Sequence, residues 1–105
     1  MKHNKVQSIN CNNEQITVLF EQNWYQEEIS ALKQLLLTKI PDHQIKEIIK
    51  GADRESVRFC CFNAEFTLQF DYYSQSCWFS AQDVSSTTKI QPLFNILTRK
   101  EPSHV

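Results

Sequence analysis

Glycine is nearly missing from this chain of 105 residues, which contains only Gly51. Loops that cradle a phosphate, and the sharp turn that exposes a nucleophilic serine, both need backbone that adopts positive φ or permits close approach. One glycine cannot supply either arrangement, so the Gly-rich nucleotide-binding fingerprints are excluded. Gly51 itself is predicted to be a turn residue.

An excess of one charge is also missing, because eleven basic side chains face twelve acidic ones and the net charge is −1. Nucleic acid and anionic membranes are bound by concentrated positive charge, so neither partner is predicted. Long apolar runs are missing too: residues 1–10 lack the apolar centre of a signal peptide, and no stretch approaches the ~20 apolar residues of a membrane-spanning helix. We therefore expect a cytoplasmic protein that binds neither nucleic acid nor membrane.

Metal-binding and redox motifs are missing among the four cysteines, which form no Cys-x-x-Cys pair (Cys11, Cys60, Cys61 and Cys77). Cys60 and Cys61 are adjacent in a predicted strand, so their side chains point to opposite faces and cannot share one ion. A reducing cytoplasm keeps such cysteines as thiols. Cys61 and Cys77 are interpreted as small buried side chains, and Cys60 is predicted on the open face, where a reactive thiol is the alternative.

The chain also lacks a histidine on a predicted strand or helix. One lies near each end of the chain and one lies in a loop after Pro41 (His3, His104 and His43). None is predicted on a strand or helix that would orient its ring, which argues against a Cys-His or Ser-His pair. The sequence thus predicts no catalytic residues, no metal and no cofactor.

What the chain does contain is a regular alternation of apolar and polar residues over residues 57–82. Successive strand residues point to opposite faces, so this alternation predicts a three-stranded meander with one buried face. Two-residue turns at residues 63–64 and 74–75 keep the same face buried in all three strands, whereas a slip of one residue would expose it. The predicted core face consists of Val57, Phe59, Cys61, Phe66, Leu68, Phe70, Tyr72, Cys77, Phe79 and Ala81.

The two turns also predict a register between the strands. Asn63 tolerates the positive φ that a tight turn needs, whereas Ala64 does not favour it, so a longer first loop is the alternative. The predicted cross-strand pairs are Phe62 with Glu65, Phe59 with Leu68, Val57 with Phe70, Tyr73 with Ser76, Tyr72 with Cys77, Phe70 with Phe79 and Asp71 with Trp78.

An amphipathic helix is predicted before this meander. Asn23, with Gln26 three residues later, forms a capping-box pattern for a helix over residues 24–40, which Pro41 ends. Residues at spacings of three and four give the helix an apolar stripe that faces the sheet. The stripe consists of Tyr25, Ile29, Leu32, Leu36 and Ile40.

A second amphipathic helix is predicted after the meander. It begins near Lys89, because Pro92 is tolerated only within the first turn of a helix. Its apolar positions are Ile90, Leu93, Phe94 and Leu97.

The remaining segments complete an α+β fold. Residues 15–21 are predicted as a strand, and residues 45–50 as a strand with a short helix as the alternative. Residues 1–14 are interpreted as a frayed terminus or a short edge strand, and residues 101–105 as loosely ordered. The expected architecture is one domain over residues 1–105, an antiparallel β-meander sheet with two helices packed on one face in the order β-α-β-β-β-α.

The open face of the sheet is the surface that most suggests a function. It carries Arg58, Asp71, Tyr73 and Trp78, and Trp, Tyr and Arg dominate the hot spots of protein interfaces. The leading hypothesis is therefore a non-enzymatic domain that uses these four residues for self-association, as in a homodimer, or for binding a protein partner. One alternative is a small-molecule-binding protein or minor enzyme with a polar and aromatic site on the same face. The other is that residues 1–13 cover this face and that the working surface lies elsewhere, for example on the exposed sides of the helices.

Two segments carry a family resemblance: Gly-Ala-Asp-Arg at residues 51–54 and Asp-Tyr-Tyr-Ser-Gln-Ser-Cys-Trp-Phe at residues 71–79. In these segments, and across residues 15–99, the chain resembles a family of small bacterial proteins catalogued as a domain of unknown function. The resemblance implies a cytoplasmic α+β protein from a bacterium. It brings no activity, cofactor or catalytic residue to any position of this chain.

Overall fold

The computed structural model describes residues 4–12 and 14–99, which form one antiparallel sheet with helices packed on it. The strands are β1 (Val6–Cys11), β2 (Gln15–Phe20), β3 (Gln44–Lys50), β4 (Arg54–Cys61), β5 (Ala64–Asp71) and β6 (Ser76–Ala81). The helices are α1 (Ile29–Leu37), which a 3-10 turn (Gln26–Glu28) precedes, α2 (Val84–Thr87) and α3 (Ile90–Thr98). Across the sheet the strands run in the order β1-β2-β6-β5-β4-β3, so β1 and β3 are its edges.

The α+β class and the antiparallel sheet are confirmed. The described residues contain six strands where the predicted order has four: β1 adds an edge strand, and β3 is the strand predicted over residues 45–50, which that order did not count in addition to the three-stranded meander. Residues 45–50 are therefore strand, and the edge-strand interpretation of the amino-terminal segment is confirmed for Val6–Cys11. The predicted loose segment over residues 101–105 lies outside the described residues.

One hydrophobic core lies between the sheet and the helices. Most members of the predicted core face are buried, while Tyr72 and Ala81 are half-buried and pack against the core. The helices contribute Ile29, Leu32 and Leu36 from α1 and Ile90, Leu93 and Leu97 from α3. Complete burial of a side chain of this kind stabilises a fold by roughly 1.5–3 kcal/mol, so the core holds both helices on this side of the sheet.

The first hairpin of the meander turns at Phe62 and Asn63, one residue earlier than predicted. Both residues have a φ of 56°, in the left-handed region that a two-residue hairpin turn needs. The predicted turn would have placed Ala64 in this region, which the alanine Cβ disfavours. Ala64 instead begins β5 and is buried in the core.

This earlier turn shifts the register of β4 and β5. The observed pairs, Cys60 with Glu65, Phe59 with Phe66 and Val57 with Leu68, replace the predicted pairs Phe62–Glu65, Phe59–Leu68 and Val57–Phe70, which were wrong. Because the shift is two residues, each side chain keeps its side of the sheet and the buried set is unchanged. The centroid of the Phe59 ring lies 5.7 Å from that of Phe66 and 6.0 Å from that of Phe79.

The second hairpin has a four-residue turn over residues 72–75 instead of the predicted two-residue turn. Asp71 Oδ1 accepts the backbone N–H of Tyr73 at 3.1 Å, a local bond that favours a turn over further strand pairing. The observed pairs, Asp71 with Ser76, Phe70 with Cys77, Gln69 with Trp78 and Leu68 with Phe79, replace Tyr73–Ser76, Tyr72–Cys77, Asp71–Trp78 and Phe70–Phe79, which were wrong. This shift is again two residues and preserves the faces.

The first helical segment begins later than predicted. The Tyr25 N–H donates to Glu28 Oε1 at 2.9 Å, so this bond caps the 3-10 turn and the predicted cap at Asn23 was wrong. Trp24 lies outside the helix because Gln75 binds its backbone: the Trp24 N–H donates to Gln75 Oε1 at 2.8 Å, and its C=O accepts from Gln75 Nε2 at 2.9 Å. Tyr25 is exposed, so its predicted place in the buried stripe was also wrong.

The end of α1 also differs from the prediction, because the helix stops at Leu37 and the chain reaches Ile40 through turns. Ile40 is still buried. His43 lies in the loop after Pro41, as predicted, and its Nδ1 donates to the Ile40 C=O at 2.7 Å. His3 and His104 lie outside the described residues.

The last helix agrees with its prediction, since α3 follows Lys89 directly and Pro92 lies in its first turn. The structure adds the short helix α2 before it. Asp83 caps α2, because its Oδ1 accepts the Ser86 N–H at 2.8 Å. None of the helices within the described ranges is long and apolar enough to cross a membrane.

Candidate functional site

The open face is the side of the sheet that α1 and α3 leave uncovered. Every meander residue predicted on this face is half-buried or exposed. At its centre, Trp78 lies beside Thr17 on β2 and Gln69 on β5, with Ser76 and Ser80 as its neighbours along β6. Small hydroxyl side chains therefore border the half-buried indole on three sides.

The strand β1 extends this face at one edge. Val6–Cys11 pairs with β2 within the sheet, and its Asn10 lies opposite Thr17 in the row that contains Trp78. A strand paired in the plane of the sheet lies beside the face and does not cover it. The alternative that the amino-terminal segment covers the open face was therefore wrong for Val6–Cys11.

Arg58 is held in ion pairs on the open face. One guanidinium nitrogen lies 2.9 Å from Glu47 Oε1 on β3, and another lies 3.7 Å from Glu65 Oε1 on β5. The three side chains are 40–47% exposed, so solvent screens these pairs and each stabilises the fold by about 0–1 kcal/mol. The face thus presents charges of both signs on one side of Trp78.

Asp71 and Tyr73 lie together at the turn that follows β5. Asp71 Oδ1 accepts the Tyr73 N–H, and its Oδ2 lies 3.4 Å from Nε of the mostly exposed Arg54. Tyr73 itself is 80% exposed. Of the four predicted binding residues, the structure brings Asp71 and Tyr73 together but places Arg58 two strands away from Trp78.

A second candidate surface is an aromatic cleft of about 400 Å³ beside the turn between β5 and β6. The cleft is lined by Asn23, Trp24, Tyr25, Tyr72, Tyr73 and Gln75. The Tyr72 ring centroid lies 6.3 Å from Trp24, 6.4 Å from Tyr25 and 5.9 Å from Tyr73. Because Trp24 is buried while Tyr25 and Tyr73 are exposed, the rings around Tyr72 extend from the core to solvent.

Gln75 joins the two chain segments that form the aromatic cleft. Its side chain bonds both backbone groups of Trp24, and its Nε2 also donates to the Tyr72 C=O at 2.9 Å. Sequence reasoning missed this cleft, because the apolar pattern assigns Tyr25 to the helix stripe and Tyr72 to the core face. The consecutive tyrosines Tyr72 and Tyr73 at a hairpin turn could have indicated an aromatic surface. Their proximity to Tyr25 follows neither from the helical spacing nor from the strand alternation.

The four cysteines are free thiols. Burial, with a smaller contribution from Cys60, raises the pKa of Cys61 to about 11, and burial also raises the pKa of Cys77. Both thiols therefore stay protonated at neutral pH, as expected of small buried side chains. Cys60 lies on the open face, with Sγ 4.0 Å from Gln44 Oε1. Among residues 4–12 and 14–99, no group of three or more His, Cys, Asp or Glu side chains is arranged to hold a metal.

Comparison with known proteins identifies the family of this chain. The family model of DUF3630, a protein of unknown function, matches residues 6–97. The match covers most of the chain, so the chain belongs to DUF3630, and the resemblance to a domain of unknown function is confirmed. No curated protein and no solved structure matches the chain.

Proposed function

We propose that this member of DUF3630 is a non-enzymatic interaction domain whose open face binds a second copy of the chain or, in its place, a protein partner. The observation that carries the proposal is the position of Trp78, half-buried at the centre of an uncovered face among Thr17, Ser76 and Ser80. Tryptophan dominates binding energy where a partner excludes water around it. The small neighbours leave the indole accessible to an opposing surface.

The charges on the open face suit a twofold contact between identical surfaces. In such an interface the same patch meets itself, so each charged group needs its complement within the patch. Arg58 lies between Glu47 and Glu65, so this part of the open face holds charges of both signs. Rim contacts of this kind set orientation and association rate more than affinity.

The edges of the sheet suit self-association less well than its face. Both edge strands contain a register shift, and β3 also carries Lys46 and Lys50. Bulges and lysines at an edge hinder the addition of a strand from another chain.

We also place the domain in the cytoplasm of a bacterium. Its four cysteines are free thiols, the state that a reducing compartment maintains. The bacterial origin rests on the family resemblance, and both parts stay predictions.

Sedimentation equilibrium of the full chain tests the proposal. Wild type is expected to form a dimer that dissociates on dilution. Trp78→Ala is expected to weaken that dimer about 30-fold or more, the effect of losing a hot spot of about 2 kcal/mol. Tyr25→Ala removes an exposed aromatic ring outside the open face and is the matched control, so it should leave the dissociation constant unchanged.

A pull-down with immobilised chain distinguishes the two kinds of partner. If wild type is monomeric, capture of another protein that Trp78→Ala no longer captures supports a protein partner at the open face. A wild type that is monomeric at every concentration, and that captures no protein through Trp78, contradicts the proposal.

A further inference from the structure

The aromatic cleft is separate from the centre of the open face and has its own chemistry. The Tyr72 ring lies beside the rings of Tyr25 and Tyr73, at interplanar angles of 35° and 46°. The two outer rings, those of Tyr25 and Tyr73, are 53% and 80% exposed. A partner can therefore reach both of these rings.

Carboxylates lie beside the backbone of both exposed tyrosines, Tyr25 and Tyr73. Glu28 Oε1 accepts the backbone N–H of Tyr25 at 2.9 Å, and Asp71 Oδ1 accepts that of Tyr73 at 3.1 Å. These bonds fix the carboxylates beside the backbone of two residues that line the aromatic cleft. The negative face of an aromatic ring and a carboxylate both attract cations, so the two features favour the same ligand chemistry.

An arginine of the chain itself lies beside one of these carboxylates. Arg54 Nε is 3.4 Å from Asp71 Oδ2, which shows that a guanidinium is accommodated beside the carboxylate. Arg54 is 72% exposed, so solvent screens this pair. The rings of Tyr25 and Tyr73 remain exposed in its presence.

We propose that the aromatic cleft binds an arginine side chain that a protein partner presents. A planar guanidinium stacks on aromatic faces and pairs with carboxylates, whereas the lysine ammonium is a compact and strongly hydrated charge. The volume of about 400 Å³ has room for the side chain and for the backbone that presents it. This site lies outside the centre of the open face and does not depend on self-association there.

Peptide binding to the full chain, followed by the NMR signals of its tyrosine rings, tests the proposal. The probe is the peptide Gly-Arg-Gly, and Gly-citrulline-Gly is its neutral control of nearly the same shape. We expect saturable shifts at Tyr25, Tyr72 and Tyr73 with a dissociation constant in about the millimolar range for one side chain. The citrulline peptide is expected to bind about tenfold more weakly, because it lacks the charge.

Variants at Tyr73 separate ring chemistry from folding. Tyr73 is highly exposed, so Tyr73→Leu should stay folded and bind Gly-Arg-Gly about tenfold more weakly. Tyr73→Phe keeps the aromatic face and should bind within about twofold of wild type. Trp78→Ala changes the open face alone and should bind the peptide as wild type does, even where it weakens self-association.

Four results would overturn the arginine proposal. They are no saturable shift, equal binding of the arginine and citrulline peptides, unchanged binding by Tyr73→Leu, and tighter binding of Gly-Lys-Gly or free choline than of Gly-Arg-Gly. Failure of self-association with intact arginine binding would count against the open-face proposal alone.

Discussion

A charged pair in the core links α1 to the sheet at the scale of single residues. Lys33 Nζ on α1 lies 2.6 Å from Glu55 Oε2 on β4, and the two side chains are 13% and 4% exposed. Glu55 faces the same side of β4 as the buried Val57 and Phe59. Removal of a charge from water is costly, so each partner depends on the other for compensation. The pair spans 22 residues of sequence, and neither local pattern predicted it.

Lys33→Met is expected to destabilise the fold by about 3 kcal/mol, because it leaves the Glu55 carboxylate buried without its partner. The double variant Lys33→Met with Glu55→Leu should recover most of this loss, since a packed apolar pair often replaces a buried ion pair without cost. Lys39→Met, at an exposed lysine just after α1, is the control and should change stability by less than about 0.5 kcal/mol. Urea unfolding measures all three, and a Lys33→Met variant as stable as the control would contradict this role.

At the scale of elements, the predictions succeeded where the controlling contacts are local. The position of α3 follows from its own apolar spacing and from Pro92, which fits only a first turn. The start of α1 and the second hairpin depend instead on side-chain bonds: Gln75 holds Trp24 out of the helix, and Asp71 closes the turn. The pattern of apolar and polar residues does not encode such bonds. The start of α1 and the turn of the second hairpin were therefore predicted wrongly.

The helix α2 is capped by a side chain that titrates, the carboxyl group of Asp83. Hydrogen bonds from the side chain and backbone of Ser86, and from the side chain of Ser85, lower the pKa of Asp83 below its ordinary value of 3.8. The folded carboxyl group is therefore harder to protonate than the unfolded one. Its contribution to stability is complete above the unfolded pKa and is lost as the pH falls through the lowered, folded value.

Asp83→Asn is expected to flatten this pH dependence, because asparagine keeps the cap but does not titrate. The free energy of unfolding of wild type should fall more steeply than that of Asp83→Asn as the pH is lowered past 3.8. Chemical denaturation at a series of pH values gives both curves. Parallel curves in the acid range would show that Asp83 does not contribute through its charge.

At the scale of the whole molecule, the sheet separates a buried side from an open side. The sequence predicted this division correctly, because both register errors were shifts of two residues and left every face unchanged. Trp78 was therefore placed on the correct side although its neighbour on β5 is Gln69. The same reasoning could not predict the aromatic cleft. The bond from Gln75 to Trp24 joins the two segments that form it, and these residues are 51 positions apart in the sequence.

Collisional quenching of tryptophan fluorescence by acrylamide tests the central claim, that Trp78 lies on an uncovered face and becomes covered when two copies meet. The chain has two tryptophans, and Trp24 is 2% exposed, so Trp78→Phe isolates the signal of the buried ring for subtraction. We predict that Trp78 is quenched readily in dilute solution and is protected progressively as the chain concentration rises, while Trp24 stays protected throughout. A Trp78 signal that concentration does not change would contradict self-association through this face, and one as protected as that of Trp24 in dilute solution would contradict the account.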